Sequence, residues 1–341
     1  LLNELTILYL FLGGAGAGSL VVLCILEIVN LRHVSREQNQ SSFSPDSFTD
    51  ENCLEGILKL AWPICFITIV FAVLCLVFDL GRLDRIINIF ITPAPSIMSV
   101  GAYAIAIALV CAAINSAWRL LGWESAAGAG TLVLSIVGCV SGIVAAVYTG
   151  MLLQNMPSIV FWMNPLLPVV FLLSSISSGV ALVLLGSVFV NTRDSARKYR
   201  VVVWLCRTDM IVVMLETVSI IAYLFIAKSM SASVTSTDAL LIGDLAWIFW
   251  AGVFLCGLVG PVVMEIIIVK SLSSALVLWV VLFALTGALA LRVCFVQAGV
   301  YDITQNVSKA FNLPVKSDAA EPDLAVLSFT YNVQLSGREL V

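Results

Sequence analysis

Apolar runs long enough to cross a bilayer recur eight times along this chain of 341 residues, and that repetition limits what it can fold into. A hydrocarbon core of about 30 Å takes about 20 helical residues to cross. The runs lie at 4–30, 54–78, 96–118, 126–154, 164–190, 201–227, 240–269 and 274–298. Several exceed the minimum, as tilted helices do. Strands of a membrane barrel would show as alternating segments of about ten residues, and the sequence has none. Composition agrees, with 11% of residues charged against about 25% in a soluble domain. A soluble enzyme is therefore excluded. The net charge of −4 argues against a nucleic-acid binder, since phosphate contacts need an excess of Lys and Arg. The expected fold is all-α: a polytopic membrane protein of eight transmembrane helices in two four-helix bundles over residues 1–298, with an extracytoplasmic tail at 299–341.

Lys and Arg in the short loops set the orientation. Arg32, Arg36, Arg119, Arg193, Arg197, Lys198, Arg200 and Lys270 collect on one side, and Arg82, Arg85 and Lys228 on the other. The first side is cytoplasmic by this rule, and an even number of spans then puts both termini on the outer, periplasmic side of the cytoplasmic membrane. The first run lacks a basic n-region and outlasts an h-region, so it reads as a span and not as a cleaved signal peptide. Residues 35–53 are polar and Ser-rich, and are expected to form a mobile cytoplasmic loop. The tail segment LAVLSFTYNVQL, from Leu324, has strand character. Two readings stay open for it: a strand laid on a partner protein outside the membrane, or a loosely ordered tail.

Nine cysteines resemble a metal inventory until their positions are read. Cys24, Cys65, Cys75, Cys111, Cys139, Cys206, Cys256 and Cys294 fall in spans, and no pair is spaced C-x-x-C. Such residues act as small buried hydrophobes. The one histidine, His33, cannot supply the two axial ligands of a b-type haem. Neither haem nor an iron–sulfur cluster is expected in this protein, so any electrons passing through it travel on a diffusible molecule. The run GGAGAG from Gly13 lies inside a span, not between a strand and an amphipathic helix, and is no dinucleotide loop. Gly14-x-x-x-Gly18 is the spacing that lets two membrane helices approach closely.

Ionisable side chains inside spans cost about 2.5–3.5 kcal/mol at the bilayer centre and are functional hypotheses by default. Here they are Glu27, Asp209, Glu216, Asp244, Glu265 and Arg292. A second polar set collects at the outer level: Asp79, Arg82 and Asp84, then Ser96, Ser99 and Tyr103, then Tyr148, Thr149, Gln154 and Asn155, with Trp247 and Trp250. An aromatic belt and interhelical hydrogen bonds account for these singly, but less well for their common depth. A quinone head group needs donors at two carbonyls and protons on reduction. Tyr and Arg donate, and Asp209, Glu216 and Glu265 would line a proton route toward the cytoplasm. The structural alternative is that these carboxylates pair with buried donors such as Arg207.

Seven stretches resemble the NrfD/PsrC family of integral-membrane, quinone-interacting subunits: YLFLGGAGAGS from Tyr9, DLGR from Asp79, PAPSIMSVGAY from Pro93, YTGMLL from Tyr148, FWMNPLLPVVFLLSSISSG from Phe161, GPVVME from Gly260 and GALALRVCFVQAG from Gly287. The resemblance implies a haem-free, eight-helix anchor that binds menaquinone or ubiquinone near the outer face. It also implies electron exchange with a ferredoxin-like partner carrying [4Fe–4S] clusters, joined to a catalytic subunit of molybdopterin or multihaem type that holds the terminal-substrate chemistry. By motif, Tyr148 hydrogen-bonds the quinone, Asp244 is its acidic partner, and Arg82 and Arg292 shape the site. Tyr103, Tyr9 and Asn3 complete the expected quinone set, and Glu216, Asp209 and Glu265 the proton-transfer set. The span-one motif departs from members that carry Asn and His there, since Asn3 is followed by Thr6 and Tyr9. Two further readings remain: a proton-translocating energy-coupling subunit, and a secondary transporter with broken helices at the midplane.

Overall fold

The computed structural model describes residues 4–39, 47–80, 97–121, 129–156, 159–190, 195–230, 233–270 and 273–310. The chain divides into a compact unit of residues 1–302 and a second unit, 303–341, described only as far as Ala310. Among the described residues all regular structure is helical. The helices are α1 (Glu4–Asn39), α2 (Ser47–Leu80), α3 (Ile97–Leu121), α4 (Ala129–Gln154), α5 (Leu167–Phe189), α6 (Ser195–Ser229), α7 (Val234–Leu241), α8 (Gly260–Lys270) and α9 (Ser274–Ala310). A 3₁₀ turn, Val160–Met163, precedes α5, and a π-helix, Ile248–Val259, runs directly into α8. Eight of these segments are long and apolar enough to span: Glu4–Leu31, Leu54–Asp79, Ile97–Leu121, Gly130–Gln154, Leu167–Phe189, Lys198–Ser229, Ile248–Lys270 and Ser274–Val300.

Three boundaries differ from the sequence expectation. The stretch 35–53 is helical at 35–39 and 47–53, and only 40–46 lies outside the described residues. The seventh span begins at Ile248, not 240, because α7 is a separate short helix. The amides of Ile242 and Gly243 both donate to the Asp238 carbonyl and end α7 there. A Cβ on Gly243 would meet Ala239 Cα at 2.7 Å, so this reversal needs glycine. The last helix continues past 298 to Ala310. The strand-like segment at 324–335 lies outside the described residues.

The packing forms two rings. α1, α2, α3 and α4 contact one another in cyclic order, and α5, α6, the π-helix with α8, and α9 make the second ring. The seam between the rings is α1 against α5, which the glycines of the first span create. Gly18 lies on the backbone of Ser175, and Gly179 lies on the backbone of Gly18, so neither position has room for a Cβ. Gly16 faces Ile69 of α2 and Gly142 faces Ala17 and Val21 of α1, giving α1 close neighbours on several sides. Below the seam, Leu20, Leu23, Trp62, Val183, Val202 and Val280 form one apolar core that includes Cys24, Cys65 and Cys206. Phe71, Phe78, Ile211, Met214 and Phe225 face outward, as suits side chains whose solvent is lipid.

Candidate functional site

The start of α1, the end of α2, the start of α3 and the end of α4 meet at one end of the first ring. Thr6 Oγ1 donates to Asp79 Oδ2 at 2.9 Å, tying α1 to α2. One turn on, Tyr9 is 1% exposed and neighbours Tyr148 of α4, itself 5% exposed. Among the described residues the Tyr9 hydroxyl has no hydrogen-bond partner of good geometry. A buried polar group left in that state costs about 1–3 kcal/mol. Gly101 of α3 makes room for the pair: the Tyr148 ring lies flat against it, and a Cβ there would sit inside the ring. Tyr103, a half-turn further along α3, is half-buried. Two buried phenols thus converge, hydroxyl near hydroxyl, where four helix ends meet. Asn3 and Arg82, expected at this level, lie outside the described residues. Thr149 is turned away and donates to its own helix at Ala146 O, 2.7 Å.

Arg292 lies deeper and is completely buried. From α9 its guanidinium reaches Leu10 O of α1 at 3.1 Å, Ser174 Oγ and Ser175 Oγ of α5 at 3.1 and 3.0 Å, and Ala288 O at 2.8 Å. Phe171 and Phe11 flank it, with ring centroids 5.5 and 6.0 Å from Cζ. A planar fork of donors suits one residue to three helices at once. Gly14 makes room for it, since a Cβ there would meet Arg292 Nη2 and Ser175 Oγ at 2.6 Å. Arg292 therefore closes the seam next to Tyr9 and is not a surface wall of the site.

Beyond Arg292 the polar groups continue in file. Ser174 stands between Arg292 and Glu216, and Ser177 between Glu216 and Asp209. Asp209 of α6 and Glu265 of α8 face each other, both fully buried; the Ser177 hydroxyl neighbours Asp209, but none of the four carboxylate oxygens accepts a hydrogen bond of good geometry among the described residues. Arg207 is exposed, so the expected pairing of these carboxylates with it does not occur. Helical spacing puts Arg207 and Asp209 on different faces of α6. Glu27, a further carboxylate of the spans, is satisfied by Arg119 of α3, whose Nη2 lies 2.8 and 2.6 Å from its two oxygens. That pair stands at the opposite end of the first ring.

The end of the second ring that adjoins Tyr9 is closed by aromatic packing. Trp162 of the 3₁₀ turn donates to Phe295 O at 2.8 Å, and Gly299 lies flat against its indole. Phe161, Tyr223, Phe171 and Phe295 stack around it, with centroids 4.9 to 6.0 Å apart. Tyr223 donates its hydroxyl to Phe161 O. Asp244 lies on the exposed turn between α7 and the π-helix at this end. Trp247, exposed beside it, and Trp250, bonded to Leu241 O at 3.1 Å, fit an interfacial belt. Sequence reasoning did not single out Ser174, Ser175 and Ser177. Serines at i, i+1 and i+3 inside a span were the available signal.

The family profile "Polysulphide reductase, NrfD" matches residues 4–304. The C subunit of polysulfide reductase from Wolinella succinogenes is 33% identical over 172 residues, 49% of this chain and 53% of that protein. Protein NrfD of Escherichia coli is 32% identical over 162 residues, 47% of this chain and 50% of that protein. The chain thus spans about half the length of each of these relatives. With its eight spans and a profile match running from the first to the last of them, it belongs to the polysulphide reductase NrfD family of membrane proteins.

Proposed function

We propose that this protein is the quinone-reactive membrane subunit of a bacterial respiratory oxidoreductase, seated in the cytoplasmic membrane with the Tyr9–Tyr148 end outward. The observation that carries the reading is the buried Tyr9–Tyr148 phenol pair, whose Tyr9 hydroxyl makes no hydrogen bond of good geometry among the described residues. Menaquinone or ubiquinone fits this end because its two carbonyls need donors and its ring needs an apolar bed. When bound, the quinone supplies a two-electron, two-proton couple. Tyr148 and Tyr9 then hold its carbonyls, Asp79 with Thr6 fixes the α1–α2 corner, and Tyr103 flanks the entrance. Asn3 and Arg82 are assigned to the same end from sequence. Asp244, on the exposed turn, is available to a quinone head group or to a partner arriving there. Electrons pass to or from an iron–sulfur partner docked at that face, joined to a catalytic subunit. The name of the Wolinella relative, a chain of polysulfide reductase, supports an oxidoreductase assembly of this kind.

Glu216, Asp209 and Glu265 form the file that brings protons to the quinone from the opposite face, and Arg292 stands as a fixed positive charge at its quinone end. The aromatic packing around Trp162 supports this direction, because it closes the near end of the second ring. A subunit that moves further protons across the membrane is the second reading, favoured by the unpaired Asp209–Glu265 couple. Tyr148→Phe and Tyr9→Phe test the primary one. Each is expected to slow quinol-dependent reduction of the partner's clusters about tenfold or more, the worth of one good hydrogen bond, with assembly intact. Unchanged rates in both would refute the site.

A further inference from the structure

Between α5, α6, the π-helix and α9 lies a cavity of about 10 Å³ as measured by the space open to a water centre. That is about the least volume able to hold one water, which also needs two to four polar partners. Three are present, Ser174, Ser177 and Glu216, and the rest of the wall is apolar. Gly257 and Gly287 line it where the π-helix and α9 pack backbone to backbone: a Cβ on Gly287 would run into the Gly257 backbone. The serines of α5 are not equivalent. Ser175 donates to Phe171 O at 2.6 Å and Ser178 to Ser174 O at 2.8 Å, so both hydroxyls are spent on their own helix. Ser174 accepts from Arg292. Ser177 stands instead between the cavity and Asp209.

We infer that one water molecule occupies this cavity, held by Glu216, Ser174 and Ser177, and that it passes a proton between Asp209 and Glu216. The transfer half of this inference rests on the quinone reading above. Two carboxylates that face each other without donors are both acceptors when ionised, so the proton that completes the Asp209–Glu265 pair is the one available to move. It leaves the Asp209 carboxyl for the water by way of the Ser177 hydroxyl, while the water gives one of its own protons to the Glu216 carboxylate. One O–H bond breaks at Asp209, one forms at Glu216, and hydroxyl and water are restored. Glu216 is then the last carboxyl before Ser174, Arg292 and the tyrosines.

The test uses the full-length protein in lipid nanodiscs, imaged at a resolution that shows ordered water. Wild type, Ser177→Ala, Ala284→Val and Ser178→Ala are compared. Wild type is expected to show one density peak at hydrogen-bonding distance from the Glu216 carboxylate and Ser177 Oγ. The peak should weaken in Ser177→Ala and vanish in Ala284→Val, whose added methyls fill the cavity. Proton uptake on electrochemical reduction of bound menaquinone should slow about a hundredfold in both variants, the lower end of the range for loss of a proton-transfer group. Quinone affinity should not change, and Ser178→Ala should behave as wild type. An empty wild-type cavity overturns the inference, as does a peak that grows when thallium replaces potassium, the mark of a cation. Undiminished proton uptake in Ala284→Val overturns the transfer step. Failure of wild type to bind menaquinone would refute the quinone reading, while the density peak still decides the water site.

Discussion

Adding one methyl group at each glycine of GGAGAG should produce four different outcomes, and the ranking follows from what each Cβ would touch. At Gly18 it falls on the Ser175 carbonyl of α5, so two helix backbones must part. Close-packed interiors do not absorb such a shift, and overpacking of this kind costs about 1–3 kcal/mol. The gain of about 0.5–1 kcal/mol from replacing glycine inside a helix offsets part of this, leaving Gly18→Ala destabilised by about 1–2 kcal/mol. At Gly14 the new methyl meets Arg292 Nη2 and Ser175 Oγ at 2.6 Å. The cost there is smaller in packing, but it falls on the seam bonds of Arg292. At Gly16 the contact is Ile69 Cγ1 at 2.7 Å, a side-chain atom that can give way. At Gly13 the nearest atom is Tyr9 Cε2 at 3.6 Å, ordinary van der Waals contact, so Gly13→Ala should be neutral or stabilising. Thermal unfolding of the purified protein in detergent orders the four, and quinone affinity shows whether the Gly14 change reaches the tyrosine end. If Gly13→Ala were as damaging as Gly18→Ala, the seam would not explain the motif. A nucleotide-binding loop would instead need all four glycines for their backbone freedom.

Three further outcomes follow from the same geometry. Arg292→Lys keeps the charge but cannot span α1 and α5 from one nitrogen. Losing three interhelical bonds at about 0.6 kcal/mol each in lipid should destabilise the protein by about 2 kcal/mol, read by thermal unfolding. Glu27 and Arg119 are 6% and 16% exposed at the side chain. A double-mutant cycle on this pair should give a coupling of about 0.5–3 kcal/mol in unfolding free energy, and Glu27→Gln should leave proton uptake unchanged. Gly101→Ala should push the Tyr148 ring aside and lower quinone affinity about as much as Tyr148→Phe, measured by binding titration. Unaltered affinity would place the quinone elsewhere.

The helix count was legible because crossing the bilayer imposes a length that any apolar run must meet, and the eight runs reappear almost unchanged. The break before the seventh span was not. Leu240, Leu241 and Ile242 on one side and Leu245 and Ala246 on the other make a nearly continuous apolar string, with only Gly243 and Asp244 between them. A scan for length passes over a reversal that is set by two amides sharing one carbonyl. That break is what moves Asp244 from a span to an exposed turn. Arg292 and the three carboxylates stood out in sequence because lipid makes each of them costly, and Tyr148 stood out by its motif and its place among the polar residues of the outer level. Their partners did not, because a partner depends on which helix faces meet.

Those faces are chosen by the small residues. Gly18 with Gly179 draws α1 onto α5, Gly14 leaves the space that Arg292 fills, and Gly257 with Gly287 draws the π-helix onto α9 beside the cavity at Glu216. The chemistry-bearing residues therefore owe their arrangement to positions with no side chain at all. Thr6 and Asp79, or Ser174 and Arg292, are 73 and 118 residues apart in sequence, yet each pair is fixed by where glycine lets two helices touch. On this view the glycines are the parts whose substitution should move the quinone end and the proton file together. Tyrosine and carboxylate substitutions should each disable one and leave the other assembled. A Gly14→Ala protein that lost thermal stability but kept both full quinone affinity and full proton uptake would break that link. The seam would then hold the two rings together without aligning what lies on either side of it.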